Sequence, residues 1–276
     1  MKMASIKVGS LNCQGQTKMS LAKQLFLQDI LRIYNFDILC TQETLIENDT
    51  FENCDYILNN FTIITNNSLN NFGTAVFVRN TFDILDVKFD TEGQIIVFNI
   101  QNITFGNIYA KAGTDNESRK HRENMFCDTL PNMLRLRKSK TILCGDWNSI
   151  IEKRDCTHYP DSKISPSLKK LVQVIEVRDD FRTIYGNNIK FSRHYKKQGS
   201  KEGGSRIDRS YSSGGITPIM SNYHPVAMSD HSLLEVIYEF NEPFDILHIP
   251  KSKIPFKICP EVVRNSDFCS EIEEKK

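Results

Sequence analysis

Four apolar runs in this chain stop on side chains able to hold a cation or a phosphate. "VGSL" ends on Asn12, "ILCTQ" on Glu43, "TILCG" on Asp146 and then Asn148, and "HPVAM" leads through Ser229 to Asp230 and His231. Carboxylate and amide oxygens are hard donors that suit magnesium, which keeps several waters and shares its remaining positions with a substrate phosphate. Manganese is a possible substitute, since the same oxygen donors suit it. The chemistry these types fit is phosphodiester hydrolysis. One general acid or base contributes only about 10²- to 10⁴-fold of the about 10⁶- to 10¹⁷-fold that enzymes reach, so several groups must act together. Taken singly, each is an ordinary turn residue. Their recurrence at the ends of buried strands carries the reading, because a sheet rim fixes side chains that still reach solvent.

The elements that must position them alternate along the chain. "SIKVGSLN" reads as a first strand, followed by a helix whose Leu27, Ile30, Leu31 and Tyr34 share one face. "FDILCTQE" is a short buried strand. "YILNNFTIIT", "FGTAVFVRN", "FDILDVKF", "QIIVFNI" and "ITFGNIYA" then follow as strands separated by short polar turns. A helix is predicted from Glu117 to about Leu136, and "KTILCGDWN" is another buried strand. Ser165 caps a helix with Pro166 in its first turn. "NNIKFSRHY", "SRIDRSYS" and "HSLLEVIYEF" close the series as strands. Helices among many hairpin-linked strands predict an α+β fold of two packed, mostly antiparallel sheets flanked by helices, rather than a doubly wound parallel sheet. Residues 1–240 form this domain. The segment 241–276, with four prolines and weak periodicity, reads as a C-terminal extension or linker, a short capping helix being the alternative.

Composition bounds the rest. A chain of 276 residues with 39% hydrophobic and 25% charged content can bury a substantial core. No apolar run approaches the roughly 20 residues of a membrane span, and the first residues lack the apolar centre of a signal peptide, so the expectation is an intracellular protein with no membrane partner. Eight cysteines show no CxxC pairing, and Cys13, Cys40 and Cys144 sit in apolar strands, which predicts reduced, buried thiols. The net charge of +1 does not by itself announce a nucleic-acid binder. Lys190, Arg193, Lys196, Lys197, Lys201, Arg206 and Arg209 nevertheless face only Glu202 and Asp208 within residues 190–209, a local basic patch that could equally be a solvated loop.

"LN" at 11–12, "TQET" at 41–44, "GNIYA" at 106–110, "GDWN" at 145–148, "SRID" at 205–208 and "SDH" at 229–231 occur in the order found in the endonuclease/exonuclease/phosphatase superfamily. Each is weak alone; six in register across residues 6–240 are specific. Within that superfamily the chain resembles the apurinic-endonuclease-like nicking domain of LINE-type non-LTR retrotransposons. "DWNSIIEKRDCTHYPDSKISPSLKKL" is similar to the segment following the catalytic aspartate there. The tail "KICPEVVRNSDFCSEI" is similar to the linker that leads towards a reverse transcriptase region.

The resemblance implies a four-layer α/β/β/α sandwich of the DNase I type. It implies Glu43 as main ligand of a magnesium ion, with Asn12 beside it and Asp230 supporting the metal side. Asp146 would orient or deprotonate the attacking water, and Asn148 would hold that water or the phosphate. His231 would stabilise the phosphate's growing charge, Asp208 would fix the imidazole, and Tyr109 would donate its hydroxyl to a phosphate oxygen. A hairpin over "FSRHYKKQGSKEGGSR" would reach into a DNA groove. There Lys196, Lys197 and Lys201 bind phosphates, Arg193, His194 and Ser205 sense groove shape, and Arg206 joins the contact surface. The chain departs from the pattern at Gln14, at Lys111 where proline is usual, at Trp147, which reads as core filling, and at Cys156 where an arginine is common, with Arg154 the nearest stand-in. The implied activity is nicking of double-stranded DNA to leave a 3′-hydroxyl that primes reverse transcription, in the nucleus. An abasic-site nuclease, a deadenylase, an inositol-phosphate phosphatase and a binding module without catalysis are the alternatives.

Overall fold

The computed structural model describes residues 5–240 except 16–18, 48–49, 69–72, 135–139, 158–163 and 197–201. They belong to a compact unit, Met1–Ile246; a second unit, Leu247–Lys276, lies outside the described residues, as does the whole expected extension 241–276.

Strand β1 (Ser5–Asn12) and strand β2 (Ile38–Gln42) lie parallel, so the chain between them must cross over, and helix α1 (Leu21–Tyr34) is that crossover. Ser20 caps α1 by accepting from the Lys23 amide, and Leu27, Ile30 and Leu31 are buried on the predicted face. The expected strand "YILNNFTIIT" is instead a helix, α2 (Asp55–Asn60), and then strand β3 (Phe61–Asn67). Tyr and Ile favour strands, but tertiary contact overrides: Ile57 is buried in the cluster with Leu27 and Leu31, and the Tyr56 amide donates to Gln28 on α1. Strands β4 (Gly73–Arg79), β5 (Ile84–Phe89), β6 (Ile95–Ile100) and β7 (Ile103–Tyr109) follow as antiparallel neighbours within their sheets.

The helix expected over 117–136 is α3 (Asn116–Asn124), one π-helical turn (Met125–Thr129) and α4 (Leu130–Leu134). It returns the chain to β8 (Lys140–Asp146), parallel to β7. Beyond it lie α5 (Pro166–Val174), capped by Ser165 as expected, then β9 (Val177–Asp179) and α6 (Asp180–Tyr185), two short elements with no readable period. The strand expected over "NNIKFSRHY" begins only at Arg193. It is β10 (Arg193–Lys196), which pairs with β11 (Glu202–Ser205) as a separate two-stranded hairpin. Strands β12 (Asp208–Ser213), β13 (Ile216–His224) and β14 (Leu233–Phe240) complete the unit. Pro218 hides β13 from sequence reading; the strand tolerates it because β13 is a sheet edge with a bulge between Pro218 and Met220.

Two mixed six-stranded sheets result, ordered β13-β14-β1-β2-β4-β3 and β5-β6-β7-β8-β12-β9. Each has one parallel pair near its middle and is otherwise antiparallel, as expected. Inward-facing Val8, Ile38, Cys40 and Val76 meet Phe98, Phe105, Ile142 and Cys144 between the sheets. Leu39 and Phe77 point outward to α1 and α2, while Val97 and Leu143 meet the helices on the far side, which gives four layers. Near the rim a polar seam ties sheet to sheet: Gln42 donates to Asn107 at 2.8 Å, and Asn107 donates to the carbonyls of Thr41 and Ala75. The parallel pairs therefore deliver Asn12, Glu43, Tyr109 and Asp146 to one rim.

Among the described residues no helix is long and apolar enough to cross a membrane. Cys13, Cys40, Cys54, Cys144 and Cys156 are free and buried, and burial pushes the Cys13 and Cys40 thiols up to about 12, so neither is a thiolate near neutrality.

Candidate active site

The rim joins side chains that stand 134 residues apart in the chain. Asn12 donates both amide hydrogens, one to Glu43 Oε1 and one to Asp146 Oδ2, each at 2.9 Å. Tyr109 donates to the same Glu43 oxygen at 3.0 Å. Asp146 also accepts from the backbone and side-chain nitrogens of Asn148, at 2.9 and 3.2 Å. Glu43 (φ 52°) and Asn148 (φ 41°) both adopt left-handed backbone conformations just past their strands, a strain that recurs where side chains are re-aimed for function. Gly145 is required: a Cβ there would lie 1.9 Å from the Ile108 carbonyl oxygen of the parallel neighbour β7.

The second half of the site comes from β12 and the loop before β14. Asp208 pairs opposite Asp146 across β12 and β8, and its carboxylate accepts from His231 Nδ1 at 2.8 Å. Ser192 braces that carboxylate: its hydroxyl donates to Asp208 Oδ2 at 2.6 Å and accepts from the amides of Ile207 and Asp208. Ser229 donates to the Asn12 carbonyl and accepts from the His231 amide, locking the His231 loop to β1. His231 Nδ1 is 4.0 Å from Asp146 Oδ2, an ion-pair contact that sets the two halves of the site side by side.

Burial and charge set opposite tendencies on these groups. Burial alone would lower the His231 pKa, but Asp208, by charge and hydrogen bond, with Asp146 and Asp230 behind it, holds it up at about 9, so the ring is an imidazolium at neutral pH. Burial raises the Asp146 carboxyl to about 7 with help from Asp208, against the opposing pull of His231 and Asn12. A carboxyl poised there is suited to take a proton from water. The Tyr109 phenol is driven far up by burial and by Glu43 and stays a donor.

Does a divalent cation fit? Among the described residues Glu43, Asp146, Asp208 and Asp230 have His231 and Arg193 as their ion-pair cations, with Arg122 acting on Asp146 from farther off, so the rim carries excess negative charge. Glu43 Oε1 is taken by Asn12 and Tyr109, and among the described residues Oε2 has no hydrogen-bond donor. Asp146, Asp208 and His231 bring ligand atoms within 4.8 Å of one another, but Nδ1 and the Asp208 carboxylate already satisfy each other. The donor set for a hard ion is therefore Glu43 with Asp146, completed by water and substrate oxygens. Such an ion, when bound, would supply positive charge to the phosphate.

Residues 9–231 match the profile of the "Endonuclease/Exonuclease/phosphatase family". The chain belongs to that family. No curated protein matches its sequence. Among solved structures, this family member is similar to an AP endonuclease from Archaeoglobus fulgidus, at 21% identity and TM-score 0.67 over 86% of this chain and 100% of the other. It is similar also to the 3′ phosphatase NExo from Neisseria, solved with a product DNA hairpin, at 20% identity and TM-score 0.69 over 86% and 100%. TDP2 from Caenorhabditis elegans, in truncated form, aligns at 20% identity and TM-score 0.61 over 85% and 98%. These likenesses are of fold. The family places the chain among phosphoesterases that use a divalent metal.

Every acid and amide expected at the site lies at this rim, but two have other partners than expected. Asn12 turns its oxygen to the Gln14 amide and its nitrogen to the two acids, so here it spaces Glu43 from Asp146 instead of offering a metal an oxygen. Asp230 pairs with Arg193 at 2.8 Å and leaves Oδ1 3.5 Å from His231 Nε2, so its nearest charges are those cations. Gln14 accepts from the Asp230 amide and so fixes that loop. In the hairpin, the Arg193 backbone bridges to His231 and the His194 amide donates to Asp230, which seats β10 against the catalytic loop.

Arg206 corrects the DNA-contact set most clearly. It is 1% exposed and bonds Asp155 and both oxygens of Asp179, so it faces the core and not a groove. Ser205 is also buried, its carbonyl accepting from Ser192. Lys196 lies on β10, while Lys197 and Lys201 lie outside the described residues. Trp147 fills the core against Tyr211, as expected, and donates to the Arg209 carbonyl. Arg154, the suggested stand-in, is engaged by Glu152 and Asn187. Ser192 stands in no motif, and Ser229, though part of "SDH", carries no sign in sequence of the loop-locking bonds it makes.

Proposed function

We propose that the chain is a divalent-metal-dependent DNA endonuclease that nicks one strand of double-stranded DNA to leave a 3′-hydroxyl. We propose further that it serves a LINE-type element by priming reverse transcription in the nucleus for a reverse transcriptase region of the same polyprotein. One observation carries the hydrolytic reading: a hydrogen-bond chain from Glu43 through Asn12 to Asp146, with the hydrogen-bonded Asp208–His231 pair set beside it at ion-pair distance, 4.0 Å. Asp146 takes a proton from water as the water oxygen bonds to phosphorus. The bond from phosphorus to the 3′-oxygen breaks, and that oxygen collects a proton from solvent. His231, held as a cation by Asp208, faces the charge that grows on the phosphate. Tyr109 and Asn148 orient the ester. Magnesium is the ion this donor chemistry suits.

The motif order and the basic hairpin support a DNA substrate. The likeness to an AP endonuclease and a 3′ phosphatase supports a second reading, repair of abasic or 3′-blocked ends, on the same chemistry. Supercoiled plasmid, an abasic duplex, a 3′-phosphorylated duplex and a small phosphodiester, assayed side by side with magnesium, separate these. Nicking of intact plasmid at rates above abasic cleavage is expected; turnover confined to abasic or 3′-phosphate substrates would replace the first reading by the second.

A further inference from the structure

Beside the catalytic rim opens a cleft of about 350 Å³ that shares Asn148 with it and whose lining holds Arg119, Arg122 and Arg193 and no carboxylate. Arg193 is neutralised by Asp230. The other two are not: Arg119 donates to the Thr114 carbonyl, Arg122 to the carbonyls of Lys111 and Gly113, and among the described residues neither has a carboxylate within ion-pair distance. Arg122 is only 9% exposed. Burial pushes its pKa down, Asp115 draws it back, neighbouring Arg119 pushes it down again and Asp146 offsets part of that, so the two close guanidinium groups have counter-charge only from beyond ion-pair distance among the described residues. A buried cation without an anion is costly unless a ligand supplies one. Ile150 and Ile207 add an apolar wall.

We infer that this cleft binds the phosphate next to the scissile one, so that the enzyme works on a phosphodiester inside a nucleic-acid chain and not on a terminal or isolated ester. The inference rests on the proposed reading of the rim as a DNA-hydrolysing site. The wall shared through Asn148 is what selects the ligand: a strand bearing one negative charge about every 3.4 Å must, with one phosphate at Asp146, place another close by. Arg119 and Arg122 present planar donors matched to phosphate oxygens, and the apolar wall suits the sugar between two phosphates.

The full chain and Arg119→Ala are compared for cleavage and anisotropy-measured binding of one duplex, across a salt series. Two further duplexes carry a neutral methylphosphonate on either side of the nicked bond, and bis(p-nitrophenyl) phosphate supplies an ester with no flanking phosphate. Arg119 is exposed and outside the hydrogen-bond chain of the rim, so folding should survive. Expected are an about tenfold higher KM on plain duplex, a salt slope shallower by about one, no effect on the small ester, and no further loss on one of the methylphosphonate duplexes. Arg119→Lys should recover part of the loss. Unchanged KM and slope in Arg119→Ala, with the native chain cleaving normally, would overturn the cleft alone. Failure of the native chain to bind or cleave any duplex would overturn the endonuclease reading and the cleft with it.

Discussion

Asp146 and Asp155 are each 1% exposed, yet burial has opposite consequences for them. Around Asp155 the chain gathers Arg182, Arg206 and Arg209, at 2.6, 3.0 and 2.9 Å, with Asp179 sharing Arg206. The arginines outweigh the desolvation and hold the carboxyl down at about 2. Around Asp146 there are the amides of Asn12 and Asn148, another carboxylate and one imidazole, and its pKa stands at about 7. The first cluster is electrically complete and braces the strand that carries Asp208. The second is short of positive charge, which is the condition for taking up a cation and a proton.

Substitutions should separate the two. Asp146→Asn is expected to lower the hydrolytic rate by about 10²- to 10⁴-fold while leaving the melting temperature equal or higher. The stability sign follows from the raised pKa: the contribution of Asp146 is present below the ordinary carboxylate range and is lost as pH rises through about 7, so the ionised form is the strained one. A variant that unfolds on losing this charge would abolish the distinction.

Asp155→Ala should do the reverse. It leaves buried Arg209 without its close carboxylate and Arg206 with Asp179 alone, and is expected to cost about 3 kcal/mol, read as a shift in denaturant midpoint. Because the native pKa is lowered, the stabilisation is present above the ordinary carboxylate pKa and is lost as pH falls towards about 2. Asp155→Asn should remove that acid-side loss. Midpoints that follow the wild type from pH 5 to pH 2 would show that the arginines do not depend on Asp155.

A smaller effect sharpens the active half. Rates measured with metal should rise along a limb below pH 7, since a bound cation favours ionised Asp146 over its metal-free value of about 7, and fall as His231 loses its proton near pH 9. Asp208→Asn removes the largest influence holding the imidazolium against burial, so the upper limb should move down by at least about one pH unit. An upper limb that stays in place in this variant would mean that another group sets it.

The two clusters also differ in how far sequence exposes them. Asn12, Glu43, Asp146 and His231 end apolar runs, and a run that stops on a polar residue marks a strand end whatever the topology. Arg206 sits in a basic stretch and looks like surface. Its burial is decided by Asp155 and Asp179, 51 and 27 residues away, whose approach only the sheet order produces. The turn of the Asn12 amide likewise depends on Gln14 and Asp146 together. Ser192 matters because three groups converge on one hydroxyl, and β13 was hidden by a proline that only an edge tolerates.

Asp180 lies between these extremes. It is fully buried on α6, among the described residues it pairs with no cation, and it accepts from the hydroxyls of Ser212 at 2.5 Å and Tyr238 at 2.6 Å. Burial raises it to about 6, and the hydroxyls pull back only part of that. If counter-charge decides the fate of a buried aspartate here, Asp180 should behave as a weaker Asp146 outside the site. Its contribution is present below the ordinary carboxylate range and is lost as pH rises through about 6. Asp180→Asn keeps one acceptor for the hydroxyls and removes the charge, so it should gain about 1 kcal/mol at pH 8, less at pH 5, with hydrolysis unaltered. Denaturation at the two pH values measures the difference. A variant less stable at pH 8 would mean that the two hydroxyl bonds to a full negative charge outweigh its desolvation, and that the arginines around Asp155 are not what separates the two clusters.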